Sequence, residues 1–434
     1  NEEGALEIRV TKRVEDTTIA KIIHLVEEAQ AEKAPSQKFV DQFAKYYTPS
    51  IIVIALLVAV IPPLFMGDWQ AWIYQGLAVL VVGCPCALVV STPVAIVTAI
   101  GNAAKQGVLI KGGIHLEEMG RLQAIAFDKT GTLTKGFPEV TDLSTDVSFT
   151  ETEVIQKVAS VEAYSGHPLA RAIVTYASVQ NIDHSPVENF HSLTGKGVNA
   201  TVEGVKVAIG SLKWAEESTT ITDDVKANVK TLLQQGKSVV VVLFNHQYVG
   251  HLAVADAIRE TSPTIIKKLR ELGIKHMVML TGDHPITAAA IAQMMDLTDV
   301  RAGLMPNEKL HAVKELRSEF GRVAMVGDGM NDAPALAAAT VGIAMGGAGT
   351  DAALETADVA LMADDLEKLP YTIQLSRKAL RIIKENIMFA LGLKIVALLL
   401  IIPGWLTLWI AIFADMGATL LVVLNSMRLL RIQK

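Results

Sequence analysis

The sequence of 434 residues has few cysteines, few charged residues and little net charge. Cys84 and Cys86 are its only cysteines. With one residue between them, we expect no structural disulfide but a reduced pair that faces the cytosol or lies within a membrane. Charged residues make up 19% and the net charge is −6, which gives no indication of nucleic-acid binding.

The first residues, Asn1 to Ile8, also lack the features of a natural beginning. They contain no initiator Met, no basic region and no signal-type apolar core. We therefore expect a fragment, or a chain preceded by a further part of the same protein.

Apolar residues are abundant, at 51% of the chain with a mean hydropathy of +0.37. This composition predicts membrane spans attached to soluble domains, and the length is sufficient for two or three domains. Four spans are predicted: Tyr46 to Met66, Ala71 to Ile100, Ile387 to Ile402, and Leu406 to Leu424.

Basic residues lie outside the short connections within each pair of spans. The flanks carry Lys38, Lys45, Lys105, Lys111, Arg377, Lys378, Arg381, Lys384, Arg428 and Arg431. By the positive-inside rule, these flanks and the large middle region are expected in the cytoplasm, with the chain in a lipid bilayer.

The middle region, residues 121–370, alternates short β runs with helical patterns. Its strands include Met277 to Leu280, Val323 to Val326, and Val341 to Ala344, which predict a doubly wound parallel sheet. Residues 139–250 interrupt this alternation and are expected to form an inserted α+β domain.

The stretch F-D-K-T-G-T-L-T, residues 127–134, follows one of these predicted strands. Asp128 therefore lies where α/β sheets bind ligands, and its carboxylate can attack a terminal phosphorus to form an aspartyl phosphate. Its unperturbed pKa of about 3.9 predicts an ionised nucleophile. Alone, the motif is equally compatible with an Asx turn after a strand.

Three later segments, around Thr281, Lys309 and Asp328, are expected to lie close to Asp128, because each follows a predicted strand or begins a helix. We predict catalytic roles for Asp128, Lys129, Thr130, Thr281, Gly282, Asp283, Lys309, Asn331 and Asp332. Asp128, Thr130 and Asp328 are expected to hold Mg(II). Taken singly, each segment is more typical of a flexible turn or a solvated lysine.

Two cysteines and two charged residues in the apolar spans indicate a second site. Cys84 and Cys86 offer soft sulfur ligands and Asp415 a hard oxygen, a set that suits Zn(II). An ionised group in a span costs about 2.5–3.5 kcal/mol, so charged residues there are expected to be functional. Lys394 is expected to neutralise this site when no ion is bound. The simpler alternative is a kinked helix with two buried thiols.

The motifs D-K-T-G-T-L-T, T-G-D and G-D-G-M-N-D-A-P together resemble the P-type ATPases, whose catalytic core is of the haloacid dehalogenase class. The resemblance covers essentially the whole chain. It implies that ATP phosphorylates Asp128, and that hydrolysis drives ions through the membrane helices. It also implies that the insert binds ATP through Glu162, His167, Gly195 and Gly197, although His167 also fits a surface histidine at a helix start.

The C-P-C motif with Lys394 and Asp415-Met-Gly417 is similar to the zinc, cadmium and lead branch of this family. This resemblance implies an exporter of Zn(II), Cd(II) or Pb(II) in the plasma membrane. The alternatives are a copper(I) pump, whose last helices carry a different pattern, a membrane-anchored phosphatase, and a passive metal channel.

The chain departs from the family in one respect, because it contains no T-G-E, the motif with which P-type ATPases hydrolyse the aspartyl phosphate. Residues 1–33 are therefore expected to be only the C-terminal remnant of an actuator domain. The resemblance further implies two spans and a stalk at 34–120, and a stalk with two spans at 371–434. The phosphorylation domain is expected at 121–138 and 251–370, and the nucleotide-binding domain at 139–250.

Overall fold

The computed structural model describes residues 34–193, 197–283, 285–328, 332–346, 356–401 and 405–432. The predicted actuator remnant at 1–33 lies outside them. The described residues form two compact units. The first unit comprises the described residues up to Gln123, Gly321–Ala324, and the described residues from Ala339 onward. The second unit comprises the described residues within Ala124–Phe320 and Met325–Ala338.

Long apolar helices dominate the first unit. Three helical segments are long and apolar enough to cross a membrane, as judged by length and composition among the described residues: Pro35–Met66, Trp69–Lys105 and Leu408–Arg431. Large apolar side chains remain exposed on them, such as Phe65 at 83% and Phe413 at 73%. A soluble protein would bury such side chains, so these faces suit contact with lipid.

The second of these segments is broken at the C-P-C motif. One helix, Trp69–Gly83, ends at Cys84, whose backbone is extended, and the next, Cys86–Lys105, begins after Pro85. Pro85 has no N–H to continue the helical hydrogen bonds. The break therefore lies within an apolar segment, at the position of the predicted metal ligands.

The predicted span from Ile387 to Ile402 falls at the end of a longer helix, Lys368–Leu399. This helix is not one of the three apolar segments, because its last part carries Lys384, Glu385 and Lys394 among the apolar residues. Residue 402 lies outside the described part of the chain, so this span stays a prediction. The first unit also contains helices Gly113–Gly120 and Leu408–Met427, and a 3₁₀ turn, Arg428–Arg431.

Three short strands of the first unit lie side by side. Val359–Met362 pairs in parallel with Val341–Gly346 and antiparallel with Val108–Ile110. All are apolar and buried almost throughout, as expected for strands covered on both faces.

The second unit contains the strands that carry the chemical motifs. Ala124–Asp128 pairs in parallel with His276–Leu280, which pairs in parallel with Asp299–Arg301. The strand Val323–Gly327 is buried along its whole length, and the division between the units passes through it. The parallel pairing and the intervening helices confirm the predicted α/β fold; these helices are Ser262–Glu271, Pro285–Met294, Pro306–Phe320 and Ala333–Ala338.

A six-stranded antiparallel sheet follows the first motif in the same unit. Its strand order is Thr134–Thr145, Gln247–Ile258, Ser238–Phe244, Val205–Gly210, Gly197–Val202 and Val187–Leu193. Apolar residues of helices Glu151–Glu162 and Pro168–Val179 share one core with it; the remaining helices are Leu212–Ser218 and Asp223–Gln234.

The first two strands of this sheet are 12 residues each and pair from Thr134 opposite Ile258 to Thr145 opposite Gly250. They thus extend beyond the predicted bounds of the insert at 139 and 250. The assignment of bounds to five functional regions stays a prediction.

Candidate functional site

The predicted nucleophile lies at the end of a buried strand. Asp128 ends Ala124–Asp128 and is only 5% exposed. The turn after it passes through Gly131 at φ +72°, a conformation that favours glycine. A side-chain carbon at Gly131 would lie 3.4 Å from an Asp328 carboxylate oxygen, so the turn places Asp328 beside the nucleophile loop.

Lys309 joins two carboxylates at this site. It lies on helix Pro306–Phe320, and its Nζ donates to Oδ1 of Asp128 and, at 2.8 Å, to Oδ1 of Asp332. All three side chains are largely buried. The structure therefore brings together three residues that are 181 and 23 positions apart in sequence.

The charges of this cluster change the protonation of both partners. Burial raises the pKa of Asp128 to about 7, and the negative charges of Asp332 and Asp328 add to this effect, against the attraction of Lys309. Burial lowers the pKa of Lys309, but the two carboxylates outweigh it and raise that pKa overall. Burial and the neighbouring carboxylates therefore act against the ionised form of Asp128 that its unperturbed pKa predicts, and Lys309 acts in favour of it.

The surplus of negative charge fits a divalent cation. Asp128 and Asp328 offer hard oxygen ligands of the kind that Mg(II) prefers, and Asp128 is destabilised as an anion without further positive charge. Thr130 is exposed and lines an adjoining crevice of about 500 Å³.

The T-G-D turn is tied to the same loop. The Nζ of Lys129 lies 2.6 Å from an Asp283 carboxylate oxygen. The Asp283 N–H donates to the hydroxyl of buried Thr281 at 3.1 Å, with Gly282 between them. Because Asp128 pairs with Leu280 across the strands, Thr281 follows directly at the same edge of the sheet. Asn331 lies outside the described residues.

Three of the predicted nucleotide residues, Glu162, His167 and Gly197, line a separate cavity of about 360 Å³. Glu162 ends one helix, and His167 caps the next by accepting the Leu169 N–H on Nδ1 at 3.2 Å. In a neutral ring this contact leaves the proton on Nε2. Burial raises the pKa of Glu162 to about 7, against a hydrogen bond from Ser165.

Gly197 lies at the start of a strand in this cavity, at φ +149°. A side-chain carbon there would come within 2.0 Å of the Ile209 carbonyl oxygen on the next strand. The close approach of two strands therefore requires glycine, whatever the ligand. Gly195 lies outside the described residues.

The two cysteines and Asp415 form a third cluster. It is the only group of three or more Cys, His or carboxylate side chains among the described residues whose ligand atoms all lie within 4.8 Å of one another. The structure differs from the expectation of a reduced pair, since Cys84 and Cys86 are joined by a disulfide. Their Cα atoms lie 5.4 Å apart, and metal binding requires the reduced thiolates.

Lys394 lies in this cluster, as predicted. Its Nζ donates to the backbone carbonyls of Val82, at 2.9 Å, and of Cys84, and lies 3.4 Å from Oδ1 of Asp415. The side chain is 9% exposed. The ammonium thus rests on carbonyl groups at the helix break and on the predicted oxygen ligand.

Comparison with known proteins decides the family. A haloacid dehalogenase-like hydrolase family matches residues 122–340. The crystal structure of a zinc-transporting PIB-type ATPase in the E2·Pi state is 44% identical, with a TM-score of 0.83 over 97% of this chain and 69% of that one. The chain belongs to the heavy-metal-transporting P-type ATPases.

Curated members of this P-type ATPase family are also similar. A probable cadmium-transporting ATPase of Alkalihalophilus pseudofirmus is 61% identical over the whole chain. The zinc/cadmium/lead-transporting P-type ATPase of Escherichia coli is 45% identical over 96% of it. The chain covers 61% and 56% of their lengths, respectively, and so spans about three fifths of these relatives.

Sequence reasoning about this P-type ATPase missed two residues that hold the nucleophile turn. Asp256 accepts from the Thr134 hydroxyl at 2.5 Å and the Gly136 N–H at 2.9 Å. Arg259 donates to the carbonyls of Thr134 at 2.9 Å and Gly131 at 3.0 Å. The pattern that could have indicated them is the pair of opposite charges itself, Asp256 and Arg259, three residues apart at the end of a long strand.

Proposed function

We propose that the protein exports Zn(II), Cd(II) or Pb(II) across a membrane at the expense of ATP, through an aspartyl phosphate on Asp128. The observation that carries the metal assignment is the cluster of two sulfurs and one carboxylate within 4.8 Å. The relatives named as cadmium- or zinc-transporting ATPases support the same assignment.

In the proposed reaction, a carboxylate oxygen of Asp128 attacks the γ-phosphorus of ATP. The new O–P bond forms as the bond to the β,γ-bridging oxygen breaks, and ADP leaves with that electron pair. Water later cleaves the acyl phosphate and releases inorganic phosphate. Lys309, which contacts Asp128, stabilises charge on the transferred group, and Thr281, one residue beyond the strand partner of Asp128, is assigned to donate to it.

Mg(II) is proposed to bind at Asp128, Thr130 and Asp328, where it would neutralise phosphate charge. The surplus of carboxylates supports this assignment. Lys129 positions Asp283 through their ion pair, and Asp332 and Asn331 are assigned to the loop that surrounds the cation.

ATP is proposed to place its adenosine in the cavity lined by Glu162, His167 and Gly197, with Gly195 close by in the sequence. The Nε2–H of His167 and the carboxyl of Glu162 are two of the polar groups available to a purine there. A cavity of this size is typical of nucleotide-sized ligands.

Cys84, Cys86 and Asp415 are proposed to bind the transported ion as thiolates and carboxylate. A mixed sulfur and oxygen set suits borderline divalent ions better than Cu(I), which prefers sulfur alone. Lys394 neutralises the site when no ion is bound, and its contact with Asp415 supports this role.

The proposed location is the plasma membrane, with the phosphorylation and nucleotide-binding regions in the cytoplasm. The three apolar helical segments and the basic residues at or near their ends support this orientation.

The test is phosphoenzyme formation from ATP labelled in its γ-phosphate, in membranes that contain the reduced protein. Zn(II), Cd(II), Pb(II) and Cu(I) are added separately. Labelling stimulated by one or more of the three divalent ions, but not by Cu(I), supports the proposal. Stimulation by Cu(I) alone would overturn the metal assignment, and no label with any ion would overturn ATP-driven transport.

A further inference from the structure

A crevice of about 500 Å³ lies between the nucleophile turn and the inserted sheet. One side is formed by Lys129, Thr130 and Asp283 of the phosphorylation site, and the other includes Gly236–Ser238. Leu169 lines both this crevice and the nucleotide cavity described above. The two spaces are therefore neighbours, and a ligand with its purine in one can extend its phosphates into the other.

The turn at 236–238 presents a lysine to this crevice. Helix Asp223–Gln234 ends just before it, Gly236 turns the chain at φ +85°, and strand Ser238–Phe244 begins just after it. The backbone N–H of Lys237 is itself bonded to the Leu232 carbonyl. The side chain thus starts from a well-anchored backbone between a helix and a strand.

Lys237 forms a partly exposed ion pair with Asp142. Its Nζ lies 2.6 Å from Oδ2 of Asp142, in a pair whose side chains are 21% and 40% exposed. Exposed pairs of this kind contribute little to stability, because water already solvates both charges. By contrast, Lys129 and Lys309 are each held by carboxylates of the phosphorylation site.

We propose that Lys237 binds the polyphosphate of ATP in this crevice, between the nucleoside cavity and Asp128, with phosphate oxygens replacing Asp142 as its partner. A lysine ammonium binds phosphate as a compact point charge that tolerates several geometries. Asp142 then holds the lysine at the crevice until the nucleotide arrives. This inference rests on the proposed use of ATP and deepens it.

The competing explanation is structural, namely that the Lys237–Asp142 pair only ties strand Thr134–Thr145 to the turn before Ser238–Phe244. The two explanations differ in what the partner variants do. Lys237→Met removes the phosphate ligand, whereas Asp142→Asn breaks the same ion pair but leaves the ammonium available. Lys230→Met, on the exposed side of the preceding helix, is the matched control.

The experiment measures displacement of a fluorescent ATP analogue by ATP and by AMP, using the whole chain in detergent, with thermal melting as a check on folding. We expect Lys237→Met to raise the Kd of ATP about tenfold while the Kd of AMP changes little. Asp142→Asn should bind ATP as tightly as the wild type or more tightly, and Lys230→Met should match the wild type.

Equal weakening by Lys237→Met and Asp142→Asn, or equal losses for ATP and AMP, would overturn the inference in favour of the structural explanation. Unchanged ATP binding in Lys237→Met would also overturn it. Each of these results leaves the proposed function standing, whereas a wild-type protein that does not bind ATP at all contradicts the proposed function itself.

Discussion

The proposed phosphorylation site and the proposed membrane metal site both pair a lysine with an aspartate, but in different surroundings. In each, a largely buried lysine lies against a buried or partly buried aspartate: Lys309 against Asp128, and Lys394 against Asp415. Lys309 is shared with a second carboxylate, Asp332, whereas Lys394 is shared with two backbone carbonyls.

The different partners of Lys309 and Lys394 indicate opposite roles for the two lysines in binding their proposed ligands. At the phosphorylation site the ligand is an anion, so the lysine ammonium assists it and should remain in place. At the metal site the ligand is a cation, so the ammonium competes with it and must give way. Carbonyl groups solvate an ammonium without fixing it as strongly as a second carboxylate does.

The largest effect should come from Asp128→Asn, which removes the nucleophile but keeps the size of the side chain. We expect phosphoenzyme labelling to fall to less than about one thousandth of the wild type. Gel-resolved label after acid quenching measures it. Asp364→Asn, at an aspartate outside the cluster, should keep its label; substantial label in Asp128→Asn would place the phosphate on another residue.

Lys309→Met should be the next most severe change. It removes the charge that faces both Asp128 and the transferred group, and we expect the initial rate of labelling to fall about 10²–10³-fold. Quenched-flow measurement at saturating ATP reports this rate. The control is Lys314→Met, an exposed lysine on the same helix. A rate within twofold of the wild type would show that Lys309 has no electrostatic role.

Lys394→Met should strengthen binding of the proposed ligand, whereas Lys309→Met should weaken the interaction with the transferred group. With its competitor gone, the metal should bind more tightly, and the Zn(II) concentration for half-maximal labelling should fall about tenfold. Lys384→Met, an exposed change on the same helix, is the control. A higher Zn(II) requirement would instead make Lys394 a group that assists binding.

The smallest effect concerns Glu162, a buried carboxyl that hydrogen-bonds to a neutral hydroxyl. Its pKa is raised to about 7, so the folded state holds the proton more tightly than the unfolded state does. Its contribution to stability is therefore complete below about pH 4.5 and is lost as the pH rises through 7.

Glu162→Gln should accordingly flatten the loss of stability between about pH 4.5 and 7, where one such group contributes at most about 1.4 kcal/mol per pH unit. Melting temperatures of the two proteins across this range test it. Since Asp128 is raised to about 7 as well, part of the slope should survive. Parallel curves would contradict the raised pKa of Glu162.

The positions of Asp128, Thr281 and Lys309 could be predicted from the sequence, since the carboxyl ends of parallel strands meet at one edge of a sheet. The clustering of Cys84, Cys86 and Asp415 was predictable for a similar reason: polar residues in apolar helices avoid lipid and face one another.

Other properties depended on contacts that no local pattern records. The raised pKa of Asp128 comes from burial and from Asp332, which is distant in sequence. The exchangeable pair of Lys237 and Asp142 spans 95 positions. Gly197 was assigned to the nucleotide, but its backbone angle and the nearby Ile209 carbonyl give it a structural duty as well.

The hydrogen bonds of Asp256 and Arg259 have a mechanical consequence. Asp256 lies at the end of one of the two long strands through which the inserted sheet joins the rest of its unit, and Arg259 directly follows that strand. Arg259 donates to the Gly131 carbonyl in the turn that begins at Lys129, and both residues bond to Thr134, directly after that turn. The strands cannot change their angle to that turn without breaking or remaking these bonds. A rotation of the inserted sheet would therefore change the hydrogen bond to the Gly131 carbonyl, three residues from Asp128, the proposed phosphate acceptor.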